Sequence, residues 1–154
     1  MSRFRDLDEP VRRFFSHAIR GRRCACRGRA ADDGGDGEVG AWLPFTVDQT
    51  VDGRSFTWRA DSEEEIVARF DLPPEQPEVR ARIDASGALQ TVSAMRWGNR
   101  GGEAFDYVPC GCEVHAERAF GDLRVPSALS VGWWFGTSRY APFFEAEIRS
   151  VGPG

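Results

Sequence analysis

Two short cysteine pairs, CAC at residues 24–26 and CGC at 110–112, are the first place where chemistry could reside. Cys24, Cys26, Cys110 and Cys112 match the number and type of ligands that tetrahedral zinc takes. Their spacing works against it. In an extended strand the two Cα atoms of a CxC pair stand roughly 6.5–7 Å apart, whereas sulfurs that share one zinc sit about 4 Å apart. Chelation requires a turn or bulge between the cysteines; Gly111 permits one, and Ala25 gives no special help. The expectation is therefore four structural thiols and no cofactor, with a structural zinc site, or disulfide or redox use, as the alternatives.

The second constellation is EVHAE at 113–117. On a strand, Glu113, His115 and Glu117 project from one face, so that a carboxylate flanks the imidazole on either side. Such a row can raise the proton affinity of the histidine or ligate a metal. No nucleophile stands at a spacing that completes a mechanism, and His17 is the other imidazole. An enzyme using His115 with Glu113 or Glu117 is thus an alternative; the ordinary outcome is alternating charge on a wet strand face.

A third stretch, RGRRCACRGR at 20–29, is strongly basic. Without an interleaved aromatic it lacks the stacking platform of a single-strand binder, and a nucleic-acid partner is not expected. All twenty basic residues are Arg; residues 1–30 carry a net +6 and the remainder −10. The basic end is expected to dock on the acidic part of its own chain. Phosphate-cradling glycine loops, G-x-S-x-G elbows, HExxH pairs and dinucleotide fingerprints are all missing.

Large rings are the remaining resource: eleven Phe and five Trp. In VGWWFGTSRY at 131–140, Trp133 and Trp134 would face opposite ways if the strand ran through both. Rings of about 150–250 Å² on alternate faces exceed what one small sheet face needs to cover. The leading expectation is a non-enzymatic binding protein that holds an apolar or amphipathic small molecule. Phe45, Trp58, Trp97, Trp134 and Phe144 are the candidate lining. A shortened scaffold without activity of its own is the bland alternative.

These residues need elements to position them. In DEPVRRFFSHAIRG, Val11, Phe14, Phe15, Ala18 and Ile19 recur at helical spacing, with Asp8 as cap, Pro10 in the first turn and Gly21 as stop. His17 falls off that stripe and reads as a solvated surface residue. The helix is expected within residues 1–21, an acidic flexible loop at 30–41, and sheet over 22–151. Strand patterns follow one another: RRCACRGR, LPFTVDQTV, RSFTWRA, EEIVARFDL, PEVRARID, ALQTVSAMRW, CEVHAERAF, RVPSALSVGWWF and FFEAEIRSV. In the last but one, Leu129, Val131, Trp133 and Phe135 are expected to share a face.

The fold expectation is one α+β domain over residues 1–154. An N-terminal helix packs on a strongly curved, mostly antiparallel sheet of about eight or nine strands, a partial barrel. No apolar run reaches the roughly 18 residues of a membrane span, and no secretion signal opens the chain. The expected compartment is the cytoplasm, where thiols stay reduced. Nothing in the sequence sets the oligomeric state.

Several phrases, taken in order, carry a resemblance: DEPVRRFFSHAI, WLPFTVDQTV, SFTWRA, RIDASGAL, MRWGN and ERAFGDLRVPSALSVGWWFGTSRYAPFFEAEI. They resemble a bacterial family of uncharacterised proteins with a domain of unknown function. That family has a PEPVRRYLRHA-like first helix and a RTFGGYTIPTRLRVGWHFGT-like final strand pair. This chain looks like a shortened member, with DSEEE where the family has a middle section and PCGCEV where the family reads more like PFGGEV. The resemblance implies a fold and no activity. By looser analogy, curved sheets of this kind are similar to lipoprotein-carrier and other lipid-holding folds.

Overall fold

The computed structural model describes residues 7–18, 50–51, 54–70, 76–99, 104–121 and 123–150. Cys24, Cys26, Phe45, the acidic loop at 30–41 and the RRCACRGR pattern lie outside them. One helix, α1 (Glu9–Ala18), precedes a run of strands: β1 (Thr50–Val51), β2 (Arg54–Ala60), β3 (Glu65–Phe70), β4 (Glu78–Ile83), β5 (Leu89–Gly98), β6 (Asp106–Phe120), β7 (Leu123–Trp133) and β8 (Ala141–Glu147).

Every neighbour in sequence is a neighbour in space, and every pairing is antiparallel. Among the described residues seven strands, β2 to β8, form the main sheet, where the alternation suggests eight or nine over the whole chain. Of LPFTVDQTV only Thr50 and Val51 are described as strand, and they add a two-residue ladder against Arg54 and Ser55. Among the described residues β2 and β8 do not pair, so the sheet stays open.

Alternation gives the sheet an apolar face, although β3 buries Ile66, Val67 and Ala68 in succession. On β4, Val79, Ala81 and Ile83 are buried while Arg80 and Arg82 stay exposed. The buried set joins Ile66, Ala68, Phe70, Leu89, Val92, Cys112 and Leu129 in one cluster with Val11, Phe14 and Phe15 of the helix. The helix buries Pro10, Val11, Phe14, Phe15 and Ala18 as its spacing dictates. It lies against β2, β3 and β7.

Asp8 starts the helix differently from expectation. Its backbone carbonyl accepts the first helical bond from Arg12 N at 3.0 Å, while its carboxylate accepts from Ala60 N at 2.8 Å. The residue thereby ties the helix start to the end of β2. The Arg13 guanidinium donates to the Glu63 carbonyl in the β2–β3 turn. The expected DASG turn forms at 84–87: the Asp84 carboxylate accepts from Ser86 N at 2.8 Å, Ser86 Oγ at 2.7 Å and Ala88 N at 3.0 Å. Those bonds, the one from the Ser86 side chain foremost, hold the Asp84 carboxyl below its ordinary range.

The helix and the turns 61–64 and 84–88 therefore meet at one end of the sheet. The β5–β6 connection and the turn 134–140 lie at the other end.

Candidate functional site

The outer face, away from the helix, is shaped by two glycines that β6 and β7 place directly opposite one another, Gly111 and Gly132. Neither carries a Cβ, so each leaves a flat spot on the sheet. The Phe135 ring rests on Gly111, and the Tyr140 ring rests on Gly132. The two rings meet edge to face at 5.2 Å.

What brings Phe135 there is Trp134, which is not in the strand. It has a φ of +56°, and the chain reverses through Gly136 and the bonds Thr137 N to Trp134 O (3.1 Å) and Tyr140 N to Thr137 O (3.1 Å). Phe135 therefore leaves the face of Leu129, Val131 and Trp133 on which alternation would put it. Trp133 itself is buried, stacked on Phe143 at 6.0 Å with the Arg96 guanidinium 5.1 Å from its ring centre. Trp134 lies under the Arg139 guanidinium at 4.4 Å.

Phe135 walls a half-open groove of about 600 Å³ that crosses the outer face of β4, β5 and β6. Its apolar floor is Met95, Tyr107, Pro109 and Phe135, and its polar wall is Gln76, Glu78 and Arg80. Arg80 is already engaged by Asp61 at 2.8 Å and Glu65 at 2.5 Å. Glu78 is engaged as well, by Arg59 at 3.3 Å and Arg80 at 3.7 Å, and Gln76 accepts from the Arg69 guanidinium, so the charges of the wall are matched to one another. Beside the groove Trp97 packs on Tyr107 at 5.1 Å and stacks on Phe105 at 6.2 Å.

The five candidate ring residues do not line one pocket. Trp58 packs beneath the helix, 6.0 Å from Phe14 and 5.2 Å from Phe15. Trp97 is exposed on the outer face, Trp134 sits in the turn, and Phe144 is exposed beside Val131 on the edge strand β8. Phe45 lies outside the described residues. The groove is built from residues the sequence did not single out. Its signal was there in outline: Met95 and Tyr107 both occupy outward positions of their strands, yet only the pairing of Met95 with Pro109 and Trp97 with Tyr107 brings them together.

The row Glu113, His115, Glu117 is broken by register shifts in β6 between Val114 and Glu117. His115 Nε2 lies 2.9 Å from Ser130 Oγ. Glu117 turns instead to the helix, where its Oε2 meets His17 Nε2 at 2.7 Å and its Oε1 accepts from Leu89 N at 3.2 Å. His17 is consequently half-buried in a bond that fastens the helix end to β6, not solvated. Ser130 and His115 have nucleophile–base spacing. However, Ser130 is only 4% exposed, and among the described residues no carboxylate hydrogen-bonds His115 to fix its tautomer.

The cysteine pair sits on unbroken strand. Cys110, Gly111 and Cys112 keep continuous register with Ala94, Ser93 and Val92, so Gly111 makes no bulge and the chelating turn is not formed. Both thiols are free and buried. Among the described residues no group of three His, Cys, Asp or Glu side chains gathers as a metal site.

Burial pushes the Cys112 thiol up to about 11 from an ordinary 9.0. The folded state then holds this proton to higher pH than the unfolded one, so stability falls as pH rises from about 9 to about 11. Urea midpoints across that window should show a loss of about 2 kcal/mol that Cys112→Ala removes; an equal slope in the variant would refute the assignment.

Fold and groove together define an open antiparallel meander backed by one helix, with an apolar depression on its outer face. The chain belongs to the family of unknown function DUF6920, whose pattern matches residues 51–152. The matched span contains all seven strands of the main sheet and leaves out the helix. No curated protein and no solved structure matches the chain. Among the described residues no helix is long and apolar enough to cross a membrane.

Proposed function

We propose that this protein is a non-enzymatic binding protein for an elongated amphipathic small molecule, held in the outer-face groove. The single observation that carries the reading is the groove itself. About 600 Å³ lies open over Met95, Tyr107, Pro109 and Phe135, within the size range of small-molecule sites. An apolar chain fits the floor, and a polar end meets Gln76 and Glu78. Because Arg80 and Glu78 are each already paired with opposite charges, that end is a neutral hydrogen-bonding group rather than a charged one.

A strongly curved, carrier-like sheet is part of the same reading, and the helix supports it. The helix contacts both β2 and β7, which are five strand spacings apart in the sheet order. A flat sheet would hold those strands roughly 24 Å apart, farther than a helix about 15 Å long can bridge. Curling around the helix lets Leu129 and Ile66 share one core with Phe14.

Titrating the full chain with dodecyl maltoside, dodecylamine and dodecanoate, each below its micelle concentration, tests the reading through tryptophan emission, since Trp97 borders the groove. The maltoside should bind, and dodecylamine and dodecanoate each at least about tenfold more weakly. Ser93→Phe, which fills the groove between Arg80 and Gly111, should weaken maltoside binding by about tenfold or more. No binding of any probe ends the proposal, and a preference for either charged probe overturns the account of the polar wall.

A further inference from the structure

The exposed large apolar side chains are not scattered. Met95, Trp97, Phe105, Tyr107, Phe143 and Phe144, each between 42% and 61% exposed, all belong to the end of the sheet opposite the helix. They flank the β5–β6 connection and the turn 134–140. The helix end carries ion pairs and hydrogen bonds instead: Arg13 with Glu9, His17 with Glu117, Arg82 with Glu64.

These rings also lie on both faces of the sheet. Val92 and Ala94 belong to the core face, so Met95 and Trp97 face outward, and Tyr107 pairs directly with Trp97. Phe144 pairs with Val131, which packs on the core, and Phe143 stacks on Trp133, whose partner Cys110 pairs with core-facing Ala94. A second copy of the chain or a folded partner covers one face at a time. Rings on both faces of one edge are sheltered together only by a medium that surrounds that edge. Two guanidinium groups stand among them, Arg96 over Trp133 and Arg139 over Trp134.

We propose that this end of the sheet inserts its rings into the headgroup–acyl boundary of an anionic lipid surface. Tryptophan and tyrosine prefer that boundary because their apolar bodies and polar tips match its two sides. The Arg96 guanidinium, 5.1 Å from the Trp133 ring centre, is placed to meet lipid phosphate. The inference stands apart from the groove ligand: either can hold without the other.

Co-sedimentation of the full chain with vesicles of phosphatidylcholine, with and without phosphatidylglycerol, tests it. Binding is expected to the mixed vesicles, to weaken with added salt, and to blue-shift tryptophan emission. Trp97→Ser on one face and Phe144→Ser on the other, both at side chains more than half exposed, should leave the urea midpoint unchanged. Each should lower vesicle binding about tenfold. No binding to the mixed vesicles overturns the proposal. So does loss in only one of the two variants, which would indicate a one-faced partner. Concentration-dependent dimerisation that both variants abolish, without vesicle binding, would assign the rings to a second copy instead.

Discussion

Phe14→Ala is expected to lower the unfolding free energy by about 3–5 kcal/mol, the range for removing a buried aromatic ring. A domain of this size holds roughly 5–15 kcal/mol in all, so the urea midpoint should fall by about a fifth or more. The reason lies in what the ring joins. Phe14 is almost fully buried, 5.1 Å from Phe15 and 6.0 Å from Trp58, and shares its cluster with Ile66, Val92 and Leu129. Truncation leaves a void between a helix and several strands, none of which can close it alone. Arg12→Ala on the exposed side of the same helix provides the control, with a change within about 0.5 kcal/mol. Equal effects in the two variants would mean that the helix does not contribute its apolar stripe to the core.

That stripe was legible in the sequence because a helix repeats every 3.6 residues whatever it packs on. Val11, Phe14, Phe15 and Ala18 were readable as a face, and that face is buried. The alternation of Val79, Ala81 and Ile83 with Arg80 and Arg82 was readable for the same reason. The groove was less so, because it depends on register. Gly111 and Gly132 each look like ordinary strand glycines, and only their pairing makes a platform for Phe135 and Tyr140. The EVHAE row failed through the same cause. A register shift is decided between two strands, so no periodicity within CEVHAERAF could show that Glu117 would turn to His17. Trp134 illustrates a third limit: a single backbone angle of +56° ends a strand that the residue types would extend.

Gly87→Ala should be the most damaging glycine substitution in the described residues, at about 3 kcal/mol or more. Gly87 has a φ of +89°, a conformation that costs an L-residue about 1–2 kcal/mol. A Cβ there would also stand 2.5 Å from the Arg13 carbonyl oxygen and 2.7 Å from its carbon. Those atoms belong to helix backbone, which cannot yield as a flexible side chain would. Relief requires either the 84–88 turn or the whole helix to move, and the helix is fixed by Asp8 to Ala60 and by His17 to Glu117. Gly136 separates the two costs, since its φ is +73° and nothing lies within 4 Å of its would-be Cβ. Gly136→Ala should therefore show the strain alone, about 1–2 kcal/mol. Urea unfolding of both variants measures the difference, and hydrogen exchange locates it: amides of Val11 to Ala18 should lose protection in Gly87→Ala and keep it in Gly136→Ala. If the two variants unfold at the same midpoint, the close approach of helix and turn is not the contact that holds α1 in place.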